Sequence, residues 1–203
     1  MPLPSPDVLL ALLGVALAST WTPGPNNIML ANSGATFGYR ATLAHAFGVA
    51  LGFPVMLFAL ALGLGEAFQQ SAALREGLRW AGAAVMLWLA WRIGTAGRAQ
   101  AAGRRARPFT FLEAAAFQWV NPKAWVLAIG VPAAALAGAH PLAEALVCAG
   151  VFAVSGLSSA HGWAAFGAAL RRLLSTDARL AAFNAAMGLL LAASAVYLLT
   201  AEI

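Results

Sequence analysis

Four stretches of this chain, residues 8–39, 41–65, 145–170 and 180–201, contain no Asp, Glu, Lys or Arg. About 20 apolar residues carry a helix across the hydrocarbon of a bilayer, and each of these stretches is long enough to do so. A soluble domain has about 25% charged residues. This chain of 203 residues has 9%, with 62% hydrophobic, and a soluble fold of that length has no interior large enough for them. The expectation is an all-α polytopic membrane protein with one transmembrane domain over residues 1–203.

Two short breaks interrupt the apolar pattern. The first is Thr22-Pro23-Gly24-Pro25-Asn26-Asn27, and the second is Gln118-Trp119-Val120-Asn121-Pro122-Lys123. Proline removes a backbone donor and clashes with the preceding turn, so a helix bends or stops there. The backbone groups it frees need partners inside a bilayer, and broken helices are tolerated where they face protein or a water-filled cavity. Paired breaks in two halves of a chain are the sequence pointer to a transporter's binding site.

Ser5, Pro6 and Asp7 read as an N-cap, a first-turn proline and an acid suited to the helix dipole. The first span is predicted over residues 6–21 and resumes as helix over 27–36. Ala16-Leu17-Ala18 resembles a signal cleavage site, but residues 1–15 carry no Lys or Arg, so the span is expected to stay uncleaved. The second span covers 40–65 and contains Gly48-x-x-x-Gly52, a face for close helix contact. The third covers 77–95, with Arg79 and Arg92 near its ends to snorkel. After a basic loop at 97–108, residues 109–120 enter partially and feed a fourth span over 123–136. The fifth begins at Pro141 and reaches 170, and the sixth covers 179–200. Six transmembrane helices then form two inverted three-helix repeats, about 6–96 and about 109–201, each with a broken first helix. Arg40, then Arg98, Arg104, Arg105 and Arg107, then Arg171, Arg172 and Arg179 fall in the first, third and fifth connections. By the positive-inside rule that side is cytoplasmic and both termini lie outside. The net charge of +5 thus sits between spans, and no nucleic-acid face is expected.

Pro23-Gly24-Pro25-Asn26 after the first span, and Phe117-Gln118-Trp119-Val120-Asn121-Pro122-Lys123-Ala124 after a basic loop, resemble the LysE/RhtB family of amino-acid exporters. The resemblance runs over essentially the whole chain in length, span count and motif placement. It implies a multi-pass protein of the bacterial inner membrane that exports amino acids or close derivatives, driven by the proton gradient. Lysine, homoserine, threonine, leucine and cysteine are substrates of its branches. Ala44-His45-Ala46-Phe47-Gly48 looks closest to the cysteine and O-acetylserine branch. The lysine branch has an acid in the corresponding region, whereas this chain has His45 and no acid between Asp7 and Glu66, which speaks against a dibasic substrate.

An amino acid brings a carboxylate and an ammonium, and a site within a membrane must replace water for both. Helix N-termini at the breaks offer free N–H groups to the carboxylate. Carbonyls released by Pro23, Pro25 and Pro122 accept from the ammonium, and Asn26, Asn27 and Asn121 both donate and accept. Asn also caps broken helices without touching a ligand. The substrate-binding candidates are Pro23, Gly24, Pro25, Asn26, Asn27, Asn121, Pro122 and Lys123. Lys123 is the only lysine and follows the second break directly. An intramembrane charge is a functional candidate, although a lysine near a helix end also snorkels. His45, Lys123, Glu113 and His161 are the proton-coupling candidates, because histidine titrates near neutral pH. The inverted arrangement brings Lys123 and His45 to one cavity. Each histidine also reads as a hydrogen-bonded packing residue, and Glu113 as a neutraliser of the Arg loop.

No Gly-x-x-x-x-Gly-Lys-Ser/Thr loop is present, so no nucleotide or other cofactor is expected. A metal-ion or other small-solute exporter is the alternative, with His45, His161 and Cys148 as soft ligands. The spans lack the carboxylates that hard cations want. An intramembrane enzyme would pair Ser158 or Ser159 with His161, positions that do not face each other on one helix. Cys148 lies in an apolar run and reads as an inert packed thiol. The expected partners are an amino acid, the proton gradient and the lipid bilayer, with homo-oligomerisation left open.

Overall fold

A computed structural model of the chain describes residues 5–65, 70–96, 107–135 and 140–200. Arg98, Arg104 and Arg105 of the basic loop lie outside the described residues. All the regular structure described is helical. Helix α1 is Pro6–Trp21, capped by Ser5 with Pro6 at its first turn. Pro23 and an extended Gly24 stop it, and Pro25 opens α2, Pro25–Phe37. Gly38, at φ +88°, turns the chain between α2 and α3, a conformation glycine adopts without penalty. Helix α3 is Tyr39–Ala59 and runs on through a π-helical turn, Leu60–Leu64, which contains Gly63 at φ +119°. Helix α4 is Ala72–Gly94.

The second break resolves into three pieces. Helix α5 is Phe111–Phe117, opened by a capping box between Thr110 and Glu113. A 3₁₀ turn, Gln118–Val120, leads to Asn121, and α6 is Pro122–Ala135. Helix α7, Pro141–Leu170, and α8, Asp177–Thr200, complete the chain.

Among the described residues three helices are long and apolar enough to cross a membrane: α3 with its π turn, α7 and α8. The α1–α2 pair, bent by 53°, makes a fourth if it is one span. Helix α4 has the length, but Arg75, Glu76, Arg79 and Arg92 dilute its apolar run. Large apolar side chains face outward, among them Val55, Leu189 and Tyr197 at 65%, 71% and 73% exposed. Such a surface suits lipid.

Contacts fix the directions of packing. Along α1, Leu12 lies in a cluster with Cys148 and Phe152 of α7, Thr20 bonds Ser155, and Trp21 donates to Ser158. On α2, Asn27 lies at the α1 end beside Ser159, and Gly34 rests on the backbone at Ala164 and Ala168. Both helices therefore rise with α7. Helix α3 runs the other way, because Phe47 meets His161, Ala50 meets Gly156 and Phe53 meets Phe152. Gly48 and Gly52 let α5 lie directly on α3, against Phe111, Ala114 and Ala115, as the small-residue pattern predicts. Helices α5 and α3 run in the same direction. Helices α4 and α8 are antiparallel: Gly82 faces Leu198, Ala90 faces Gly188, and Asn184 donates to the Ala96 carbonyl.

The ends of α2, α4 and α7 and the starts of α3, α5 and α8 consequently gather at one end of the bundle. Arg40, Arg92, Arg107, Arg171, Arg172 and Arg179 lie there, against Glu113 and Asp177. At the opposite end Arg79 is spent locally. It pairs with Glu76 at 3.1 Å and donates to the Leu198 and Leu199 carbonyls that end α8.

A Cβ on Gly167 would collide with the Ala31 carbonyl of α2, whereas Gly150 on the same helix has open space around it. Gly167→Val is expected to lower stability by about 1–3 kcal/mol or more through overpacking. Gly150→Ala should leave it unchanged or slightly raised. Thermal unfolding of the two variants in detergent checks this, and equal midpoints would refute the α2–α7 contact.

Candidate functional site

The two breaks meet. Lys123, at the second position of α6, sends its stem past Gly24, and its Nζ donates to the Thr22 carbonyl at 2.7 Å. A Cβ at residue 24 would stand 3.1 Å from Lys123 Cδ, so glycine leaves the path open. Asn26 and Gln118 exchange two amide hydrogen bonds, 2.8 Å from Asn26 Nδ2 to Gln118 Oε1 and 3.2 Å in return. Gln118 is fully buried and also donates to the Ala114 carbonyl at 2.9 Å.

The other two asparagines serve the backbone. Asn27 Nδ2 donates to the Thr20 and Thr22 carbonyls at 2.8 and 2.9 Å, satisfying the last turn of α1. Asn121 Oδ1 accepts the Lys123 N–H at 3.2 Å at the start of α6. Pro23 stops α1, while Pro25 and Pro122 occupy first helical positions, where their missing donors cost nothing. Ser159 of α7 adds a second donor to the Thr20 carbonyl, at 2.7 Å.

These groups enclose a cavity of about 60 Å³, whose walls include Thr20, Asn26, Gln118, Asn121, Lys123 and Ser159. That volume takes about two waters at ~30 Å³ each and is smaller than an amino acid. No carboxylate among the described residues pairs with Lys123. Of the ammonium's three donors, the Thr22 carbonyl engages one.

His45 is not in this cavity. It lines a second one of about 610 Å³ at the basic end, with Ser33, Arg92, Arg107 and Glu113. The expected shared cavity for Lys123 and His45 therefore resolves into two, because α3 places His45 one and a half turns from its basic-end start, well short of the break. His45 is 1% exposed. Its Nδ1 bonds Ser33 Oγ at 3.0 Å, and its ring stacks against Phe109 at 5.3 Å. Nε2 has no partner. Glu113 accepts two bonds from Arg107, both 2.6 Å, and the Thr110 N–H at 2.8 Å. The Arg107 guanidinium, then the Thr110 N–H, hold this carboxyl, outside the long apolar helices, down at about 2. His161 bonds the Tyr39 hydroxyl at 2.8 Å and meets Phe47 edge-on. Ser158 and Ser159 bond elsewhere, and Cys148 is enclosed in an apolar cluster. His45, His161 and Cys148 form no metal-ligand group among the described residues.

Gln118, Thr20 and Ser159 escaped the sequence reading as wall residues. The signal was there for Gln118, an amide inside an apolar segment beside a break. Ser159 reads in the sequence only as a serine near His161, and nothing around Ser155 singles it out.

The profile of the LysE type translocator family matches residues 17–202. A cysteine/O-acetylserine efflux protein of Escherichia coli (strain K12) is 37% identical over 130 residues, which are 64% of this chain and 65% of that protein. The protein of the same description in Shigella flexneri gives the same identity and coverage, and that of Escherichia coli O1:K1 is 36% identical over the same span. The chain thus matches about 65% of the length of these relatives. No solved structure matches. With a family profile satisfied from within α1 to beyond the end of α8, around two breaks that close on each other, this chain belongs to the LysE type translocator family.

Proposed function

We propose that the chain exports an amino acid of the cysteine or O-acetylserine kind across the bacterial inner membrane, in exchange for protons. The observation that carries this reading is the Lys123 ammonium, half-buried where the breaks meet, with a carbonyl beside it and no acid among the described residues to pair with it. A charge without a counter-ion in such surroundings is costly. A substrate carboxylate is the missing anion. When it takes Lys123, the Thr22 carbonyl is released to accept the substrate's own ammonium, so one internal bond is exchanged for two charge-assisted ones. Asn26 and Gln118, already a matched pair, can open toward the ligand and close behind it. The cavity must widen for any of this, and the extended residues around Gly24 and the π turn at Gly63 are places where the backbone can yield.

The packing directions support six transmembrane helices in two inverted repeats. The α1–α2 pair runs with α7 and α5 runs with α3, so α5 is opposed to the α1–α2 pair. A two-fold axis in the membrane plane would exchange α3 with α7 and α4 with α8, which are the antiparallel contacts present. Repeat one is then about 6–96 and repeat two about 109–201, with 97–108 as a cytoplasmic loop. The Arg-rich end is the cytoplasmic end.

Among the coupling candidates, Glu113 is held ionised by Arg107, so it changes charge only if that pair opens. His45 is buried with one nitrogen open, which favours it over His161, whose Tyr39 partner lies at the bundle's end.

Lys123→Ala is expected to stop O-acetylserine efflux, and Asn26→Ala to reduce it about tenfold or more through the unmatched Gln118 amide. Export from overproducing cells at equal protein level is the measurement, and wild-type rates in both would exclude the two-break site. Reporter fusions at the 97–108 loop should read cytoplasmic and at the C-terminus external. A cytoplasmic C-terminus would mean an odd number of spans. In proteoliposomes an imposed pH gradient should drive wild-type flux, His45→Ala should lose that dependence, and His161→Ala should be milder. Flux indifferent to the gradient would leave the protein a facilitator or the user of another ion.

A further inference from the structure

The cavity of about 610 Å³ at the basic end falls within the range of small-molecule sites, about 300–1,000 Å³. It lies next to the break site. Met29 and Ser33, one and two turns beyond Asn26 on α2, wall it, and Phe117 and Val120 flank Gln118. The Asn26–Gln118 pair thus lines the smaller cavity and has neighbours in the wall of the larger one.

Two groups in the roomy cavity lack the partners their chemistry asks for. His45 Nε2 is buried with no hydrogen bond, while Nδ1 is engaged by Ser33. Arg92 of α4 lies over the Trp88 ring at 4.8 Å, and no carboxylate among the described residues pairs with it. The one acid among the cavity's described walls, Glu113, is taken up by Arg107. What remains is one guanidinium fork and, on a His45 ring that lines the cavity with its Nε2 covered in this conformation, one imidazole nitrogen that a ligand reaches when the ring turns, in walls that are otherwise mostly apolar, with Phe109 and Trp88 among them.

We propose that this cavity is a second binding site for the transported amino acid, occupied before the break site, with Arg92 receiving the carboxylate and His45 Nε2 accepting a bond from the ammonium. The proposal rests on the amino-acid reading above. A guanidinium binds a carboxylate by two parallel N–H bonds, and its stacking on Trp88 pre-sets the fork. With Nδ1–H donating to Ser33 Oγ, Nε2 presents its lone pair, and an ammonium is the donor that fits it. The apolar remainder suits a short side chain of modest polarity. Binding here would place the substrate's polar ends against α4 and α3 before the Asn26–Gln118 pair parts.

The test uses the full chain with Cys148→Ala, and with Ala116→Cys as a reporter on the cavity wall whose export is first checked. O-acetylserine is the probe, and modification of residue 116 by a water-soluble maleimide is the readout, in vesicles and in detergent. O-acetylserine should slow the modification, and R92Q or H45N should raise the concentration needed for half-protection by about tenfold or more. R92K, which keeps the charge and loses the fork, should fall between. Lys123→Ala should abolish export yet keep the protection. Circular dichroism and unfolding midpoints equal to the parent establish that each variant is folded. Unprotected labelling in a chain that still exports O-acetylserine overturns this site alone. Loss of protection in Lys123→Ala as well would merge the two sites into one and also overturn it. Protection by inorganic phosphate or by phosphatidylglycerol vesicles, but not by O-acetylserine, would assign Arg92 to lipid headgroups and overturn it too. A parent chain that exports no amino acid refutes the function itself, whatever the labelling gives.

Discussion

The last carbonyls of α1 end in apolar surroundings with no helical donor to meet them. In water such groups are solvated, whereas within a bilayer they must be satisfied by the protein. Three other segments supply the donors: Asn27 from α2, Ser159 from α7 and Lys123 from α6. That requirement ties the first break to the second and both to the longest helix. Without it, nothing would hold the Lys123 side chain against the end of α1. The polar content of the site is therefore first a solution to a backbone problem. The proposed zwitterion site builds on that solution, because a network that satisfies carbonyls with an ammonium can do so equally with a ligand's ammonium.

Much of this was legible in the sequence. Proline fixes where helices stop and start, so the end of α1 and the starts of α2, α6 and α7 follow from local chemistry alone. The Gly48-x-x-x-Gly52 face predicts a close contact and obtains one. Legibility fails where a property belongs to two helices at once. Asn26, Asn27 and Asn121 look alike in the sequence, yet only Asn26 bonds across the breaks, because the side each takes depends on the rotation of α2 against α5. The same limit separates His45 from Lys123. Spacing along α3 sets how deep His45 lies, but which wall it faces is decided by α2 and α5.

Charge is distributed in keeping with this. Arginines crowd one end, where several helix termini converge, and the sole lysine stands alone at the breaks. Arginine cannot lose its proton in a protein, and its broad fork suits carboxylates and headgroups at a surface. A lysine is a compact point charge on a flexible stem, able to swing between a carbonyl and an anion. The two residue types are placed where those differences matter.

Where Gly34, Gly167, Gly94 and Gly188 bring backbones together, no side chain cushions the contact. Side chains can change rotamer and let neighbouring helices roll, whereas main chain resting on main chain has no such slack. Helices α2 and α7 are thereby locked as one stiff slab and α4 and α8 as another. Any opening of the molecule must shear along the seams filled by side chains, above all where α6 meets α3 and α1. The glycines thus act mechanically as rivets, and their placement marks out which parts of the machine stay still while others move.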